Sequence, residues 1–169
     1  MKSRRILTGL LAVVAVATIA ACGGDDEADL GPYIDALAAD FAKSEEDEPP
    51  VSEEQARCAA ESSINAIDED VITAYETPDA LIEATKENLT ALDLDDETLD
   101  EVAEGIVDCL GGVDFMLDAL AGFGLTEEQV SCVGDAIDES DFVASIRADL
   151  AGEEEDAAFG EKIQACAGG

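Results

Sequence analysis

Histidine and tryptophan are both missing from this chain. Without an imidazole, no nucleophile–histidine pair forms, and no cysteine–histidine set for zinc is completed. Basic residues are nearly missing as well, with 8 lysines and arginines against 42 aspartates and glutamates. A surface that acidic repels nucleic acid and anionic headgroups, so both are poor partners. Aromatic residues make up only 4% of the chain, which leaves an aliphatic, alanine-rich core. No segment carries a convincing strand pattern. Also missing are G-x-S-x-G, S-x-x-K and a phosphate-cradling glycine loop. Carboxylate pairs are everywhere, and at that abundance their proximity says almost nothing about acid–base roles. The expectation is a protein that is not an enzyme and that has no cofactor and no dedicated metal site.

What is present begins with a targeting segment. Lys2, Arg4 and Arg5 precede an apolar or small-residue run from Ile6 to Ala21. At 16 residues it falls short of the roughly 20 that span a bilayer. It runs into "TIAACGGDD", where Ile19-Ala20-Ala21-Cys22 resembles the lipobox of bacterial lipoprotein signal peptides. The resemblance covers residues 1–22 alone. It implies that residues 1–21 are a cleaved signal peptide and that Cys22 becomes a lipidated N-terminus. The protein would then sit at the cell membrane, lipid-anchored on its extracytoplasmic side. Each buried methylene contributes about 0.8 kcal/mol, so two or more acyl chains hold stably where one does not. Residues 22–30 then serve as a flexible, acidic tether. Residues 1–21 hold three of the eight basic residues and no acidic one, so residues 22–169 carry a formal charge of −37.

Residues 52–58 read "SEEQARC" and residues 126–132 read "TEEQVSC". Both are helix starts: Ser52 and Thr126 are good N-caps, and Gln55 and Gln129 fall where a capping box closes. Further on, "IVDCLGG" (106–112) and "IQACAGG" (163–169) share Ile-x-x-Cys-x-Gly-Gly. Cys109 continues the apolar stripe of Val102 and Ile106, and Cys166 that of Phe159 and Ile163. Each glycine pair ends its helix. "IDALAADF" (34–41) is echoed by "LDALAGF" (117–123). The chain therefore reads as an internal duplication, helical module 31–112 followed by helical module 113–169. The first copy is expanded by "SEEDEPP" and by a longer middle region, in which Thr77-Pro78 starts a helix. Asp95 or Asp96 caps the next. In the second copy, Ser140 or Asp141 is expected to begin the middle helix, with Phe142, Ile146 and Leu150 as its buried stripe. The fold class is all-α, an irregular bundle of two duplicated, disulfide-stapled modules.

Cys58, Cys109, Cys132 and Cys166 remain after Cys22 is given to lipid, an even number for an oxidising compartment. Of three possible pairings, the duplication selects Cys58–Cys109 and Cys132–Cys166. Zinc is disfavoured, because no two cysteines are closely spaced. The pairing also constrains topology. Cys132 lies mid-helix and Cys166 at a helix end, whereas a disulfide spans only about 4.4–6.8 Å between Cα atoms. In a regular up-down-up-down bundle the second and fourth helices run parallel, setting these positions about two turns apart. The paired helices of each module must therefore run antiparallel or cross steeply.

"DLDDETLDEVAE" (93–104) places Asp93, Asp95, Glu97 and Glu104 at calcium-loop positions, but Thr98 stands where the loop's sharp turn needs glycine. The same residues make a well-capped helix start, and that reading is preferred. The expected function is a non-enzymatic, lipid-anchored interaction module of the cell envelope, presenting an acidic helical surface to an envelope protein. The alternative is low-affinity binding of divalent cations by clustered carboxylates. In general character the chain is similar to uncharacterised small lipoproteins of high-GC Gram-positive bacteria, a likeness that transfers no functional residue.

Overall fold

A computed structural model describes residues 28–43, 50–86, 88–153 and 157–168. Residues 1–21, Cys22 and most of "SEEDEPP" lie outside the described residues. Within them every regular element is helical: α1 (Gly31–Phe41), α2 (Glu53–Ala66), α3 (Glu69–Thr73) and α4 (Pro78–Thr85), then a 3₁₀ turn (Leu89–Leu92). The chain continues through α5 (Asp96–Leu110), α6 (Gly112–Gly122), α7 (Glu127–Ala136), α8 (Glu139–Leu150) and α9 (Ala157–Ala167). The all-α expectation holds.

The helices start where side chains satisfy orphan backbone donors. Ser52 and Thr126 each close a capping box with the glutamine three residues on. Thr77 accepts from the Ala80 amide ahead of α4, and Asp95, not Asp96, accepts from Thr98 ahead of α5. Residues 93–104 thus lead into a helix, which is incompatible with the calcium-loop frame. Gly111, at φ 104°, ends α5 in the left-handed region where a Cβ is costly. The start of α8 differs from expectation: its N-cap is Asp138, and Asp141 is the third residue of the box. The string Ala-Ile-Asp-Glu, at 66–69 and again at 136–139, signals this. In both copies the isoleucine ends one helix in extended conformation, and the aspartate is the N-cap of the next. Ile67 and Ile137 are both buried.

The paired helices run antiparallel, as the cysteine spacing requires. Ascending α2 through Gln55, Cys58 and Ser62 meets α5 in descending order at Leu110, Cys109 and Gly105. Gly105 permits the close approach, since a Cβ there would lie 1.9 Å from Ser62 Oγ. In the second module Gln129 and Cys132 of α7 meet Ala167 and Cys166 of α9 in the same sense.

Two apolar clusters result. The first gathers α1 to α5 around Ile64, Ile72, Leu81 and Val102; the second gathers α6 to α9 around Met116, Val133 and Phe142. They share two helices. Val107 of α5 belongs to the second cluster, while Leu150 of α8 packs on the first and Ile146 touches both. The stripe Phe142, Ile146, Leu150 therefore runs from one core into the other. Leu30, at the end of the segment read as a tether, packs on the first cluster, and the Ala28 amide donates to Glu69 at 2.6 Å.

Candidate functional site

The four paired cysteines sit at matching places. Cys58 on α2 bonds Cys109 on α5 with Cα atoms 5.5 Å apart, and Cys132 on α7 bonds Cys166 on α9 at 5.6 Å. One turn before each first cysteine, the box glutamine has two tasks. Gln55 Oε1 accepts from the Ser52 amide at 3.1 Å, and its Nε2 donates to the Leu110 carbonyl at 2.6 Å. Gln129 Oε1 accepts from Thr126 at 2.9 Å, and its Nε2 donates to the Ala167 carbonyl at 2.8 Å. The repeated glutamine and cysteine thus tie the start of one helix to the end of its partner. The amide satisfies a helix-end carbonyl that has no partner in its own helix. The duplicated motif has a structural role.

Few cations are left over. Residues 22–169 contain five basic side chains, and four are consumed in ion pairs within the fold. Lys43 pairs with Asp40, Arg57 with Asp35 and Glu61, and Lys162 with Asp141 at 2.6 Å. Arg147 of α8 reaches Asp96 and Asp100 of α5 and also Glu153. It is the most enclosed of them, with its side chain 23% exposed, and it fastens α8 across the first turns of α5.

Beyond Arg147, α5 and α8 part to form a groove of about 530 Å³. Asp100, Glu104 and Asp108 line one side, and Glu139 lies on the other. With Asp96, the α5 residues place a carboxylate at every fourth position along four successive turns. Like charges four apart destabilise a helix by about 0.2–0.5 kcal/mol per pair. Arg147 compensates only the Asp96 end. Glu104 and Asp108 make no ion pair among the described residues, although Arg147 lines the same groove. Its carboxylates are spread out rather than gathered, and among the described residues no three Asp, Glu, Cys or His side chains group as a metal site.

At the near end of α8, Asp138 and Asp141 form a capping box made of two acids. Asp138 Oδ1 accepts from the Asp141 amide and the Ser140 hydroxyl, and Asp141 accepts from the Asp138 amide. The Ser140 hydroxyl chiefly holds the Asp138 carboxyl below its ordinary 3.8, and the Lys162 ammonium does the same for Asp141. The Thr98 amide depresses Asp95 likewise. A depressed carboxyl contributes stability that is present above the unfolded-state value and lost as pH falls through the folded-state value. The expected outcome is that D138A lowers the melting temperature at pH 7 and lowers it by less at pH 2, where the protonated carboxyl offers only a neutral capping oxygen. D138N keeps a capping oxygen and shows a flatter pH dependence than wild type. Melting curves followed by circular dichroism between pH 7 and 2 test this; a D138A deficit as large at pH 2 as at pH 7 contradicts it.

The chain matches no protein-family model, no curated protein and no solved structure. The residues of the groove were legible only in part. The four-residue spacing of Asp96, Asp100, Glu104 and Asp108 stands in the sequence, but nothing there brings Glu139 opposite them. That juxtaposition needs α8 of one module lying on α5 of the other.

Proposed function

We propose that the protein is a lipid-anchored, extracytoplasmic and non-enzymatic interaction module of the cell envelope, which receives a basic segment of a partner protein. Glu104, Asp108 and Glu139, which line the α5–α8 groove and make no ion pair among the described residues, carry the reading. Glu104 and Asp108 prolong a row of like charges that costs helix stability and make no described ion pair inside the fold, whereas lysines or arginines arriving in series would neutralise them. Two further features support the location. The lipobox-like string ends at Cys22, and paired cysteines persist in oxidising compartments. Spread carboxylates favour a chain of cationic side chains over a single divalent ion.

Binding of a twelve-residue lysine-rich peptide, measured by calorimetry at 0.15 M NaCl, tests the groove. The triple variant E104Q/D108N/E139Q is expected to weaken it about tenfold, each lost charge pair contributing part of the effect. A control, E76Q/E83Q/D118N, removes three exposed carboxylates elsewhere and should leave affinity within about twofold. Equal weakening by both triples would mean diffuse attraction and would sink the groove. Saturable calcium binding that survives high sodium would favour the ion reading instead. For the anchor, C22A is expected to move the protein out of the membrane fraction.

A further inference from the structure

The first core contains a cavity of about 270 Å³, walled by α1 to α5, the 3₁₀ turn and the end of α8. Its inner surface is formed by Ile64, Ile72, Leu81, Leu92, Val102 and Ile106. The hydroxyls that reach it are already satisfied by their own helices. Ser63 Oγ donates to the Ala59 carbonyl at 2.8 Å, and Thr85 Oγ1 donates to the Leu81 carbonyl at 2.9 Å. The interior thus offers a guest no free hydroxyl donor, and hydrocarbon is what its aliphatic wall stabilises. Water is held poorly, because an ordered water needs two to four polar partners.

The mouth is polar, with Asp40, Lys86, Asn88 and Asp149 around it. Asn88 is pressed against the turn after α8, where a Cβ on Gly152 would lie 2.6 Å from its Nδ2. Charge distinguishes this mouth from the rest of the surface. Lys43 neutralises Asp40 at 3.1 Å, and Lys86 makes no ion pair among the described residues. Among the lining residues Asp40 and Asp149 are acidic and Lys86 is basic, and Asp40 is paired with Lys43, in a chain where acids outnumber bases 42 to 8. An anionic head is repelled nearly everywhere else.

We propose that this cavity binds a single-chain amphiphile, a fatty acid, with its alkyl tail inside and its carboxylate on Lys86 Nζ. The available volume matches about nine methylenes if each occupies about as much space as a water, ~30 Å³. A tail of roughly eight to ten carbons then fits within, and longer tails emerge at the mouth. The proposal is independent of the acidic groove, since it needs neither a protein partner nor the α5 carboxylates.

Calorimetric titration of the purified protein with sodium decanoate, below its micelle concentration and in 0.15 M NaCl, is the test. Decanol and decyltrimethylammonium serve as neutral and cationic comparisons. One-to-one saturable binding of decanoate is expected, with the cationic amphiphile weaker. K86Q should weaken decanoate about tenfold and change decanol less than about twofold, because only the charged head uses the ammonium. L81F and L92F fill the cavity from two sides, and whichever retains the wild-type circular dichroism spectrum should lose decanoate and decanol alike. Absence of saturable binding overturns the proposal, as does uptake unchanged in a folded cavity-filled variant. Tighter binding of the cation, or indifference of decanoate to K86Q, overturns the assignment of the head.

Discussion

A chain in which Cys132 and Cys166 are both alanine is expected to lose α7 and α9 before the rest of the molecule melts. The bridge spans 34 positions, and closing such a loop restricts the unfolded chain by about 4 kcal/mol in the entropy model. The Cys58–Cys109 bridge spans 51 positions and contributes about the same by that model. The consequences differ because the cores differ. The first cluster gathers helices from α1 to α5 and the end of α8, whereas the second is smaller and rests on Met116, Val133, Ile137 and Phe142. α7 and α9 span only 10 and 11 residues, lengths at which an isolated helix is marginal in water. Without the bridge, Gln129–Ala167 and Lys162–Asp141 are polar ties that remain between α9 and its neighbours among the described residues. Hydrogen exchange should show the amides of α7 (127–136) and α9 (157–167) unprotected at 37 °C in C132A/C166A, while α8, which lies on α5, keeps protection. C58A/C109A should retain protection in α2 and α5, with a lowered melting temperature. Identical, uniform loss in both double variants would contradict two cores of unequal strength.

Replacing Ile64 by alanine should cost about 2–5 kcal/mol, the range for deleting a fully buried isoleucine side chain. Ile64 is 1% exposed and borders the cavity of the first core. The cost depends on whether the surroundings collapse into the space. Here they are constrained: the disulfide and the Gln55–Leu110 bond hold α2 to α5, and Gly105 already sits against Ser62. A result in the upper half of the range follows. Urea unfolding, with an unchanged slope to show that the end states are comparable, measures it. A loss below about 1 kcal/mol would mean that the wall relaxes freely and that the cavity has no fixed shape.

Local chemistry made much of this readable beforehand. Ser52 and Thr126 announce two helix starts because an N-cap needs only a hydroxyl and the amides just after it. The cysteine pairing follows from the duplication, and the antiparallel α2–α5 and α7–α9 contacts follow from the short reach of a disulfide. At the start of α8 two local signals compete. Ser140 and Asp141 looked like caps, but the Ala-Ile-Asp-Glu string shared with 66–69 places the cap on Asp138. A local rule makes the glutamines of the motif box partners; that their amide ends reach carbonyls 55 and 38 residues away is beyond any local rule.

The amino-acid order by itself determined the helices, their caps, the sulfur pairs and the sense in which paired helices run, since each depends on neighbours or on one short covalent reach. Tertiary structure alone decided that α8 leaves its own module to lie on α5. From that one crossing come the shared stripe of Phe142, Ile146 and Leu150, the Arg147 clamp, Glu139 facing the α5 carboxylates, and the closing of the first core's cavity by the end of α8. The physical reason is that an apolar stripe specifies how much surface a helix must bury but not against which partner. Several faces of similar chemistry compete for it, and only the simultaneous packing of both cores selects one.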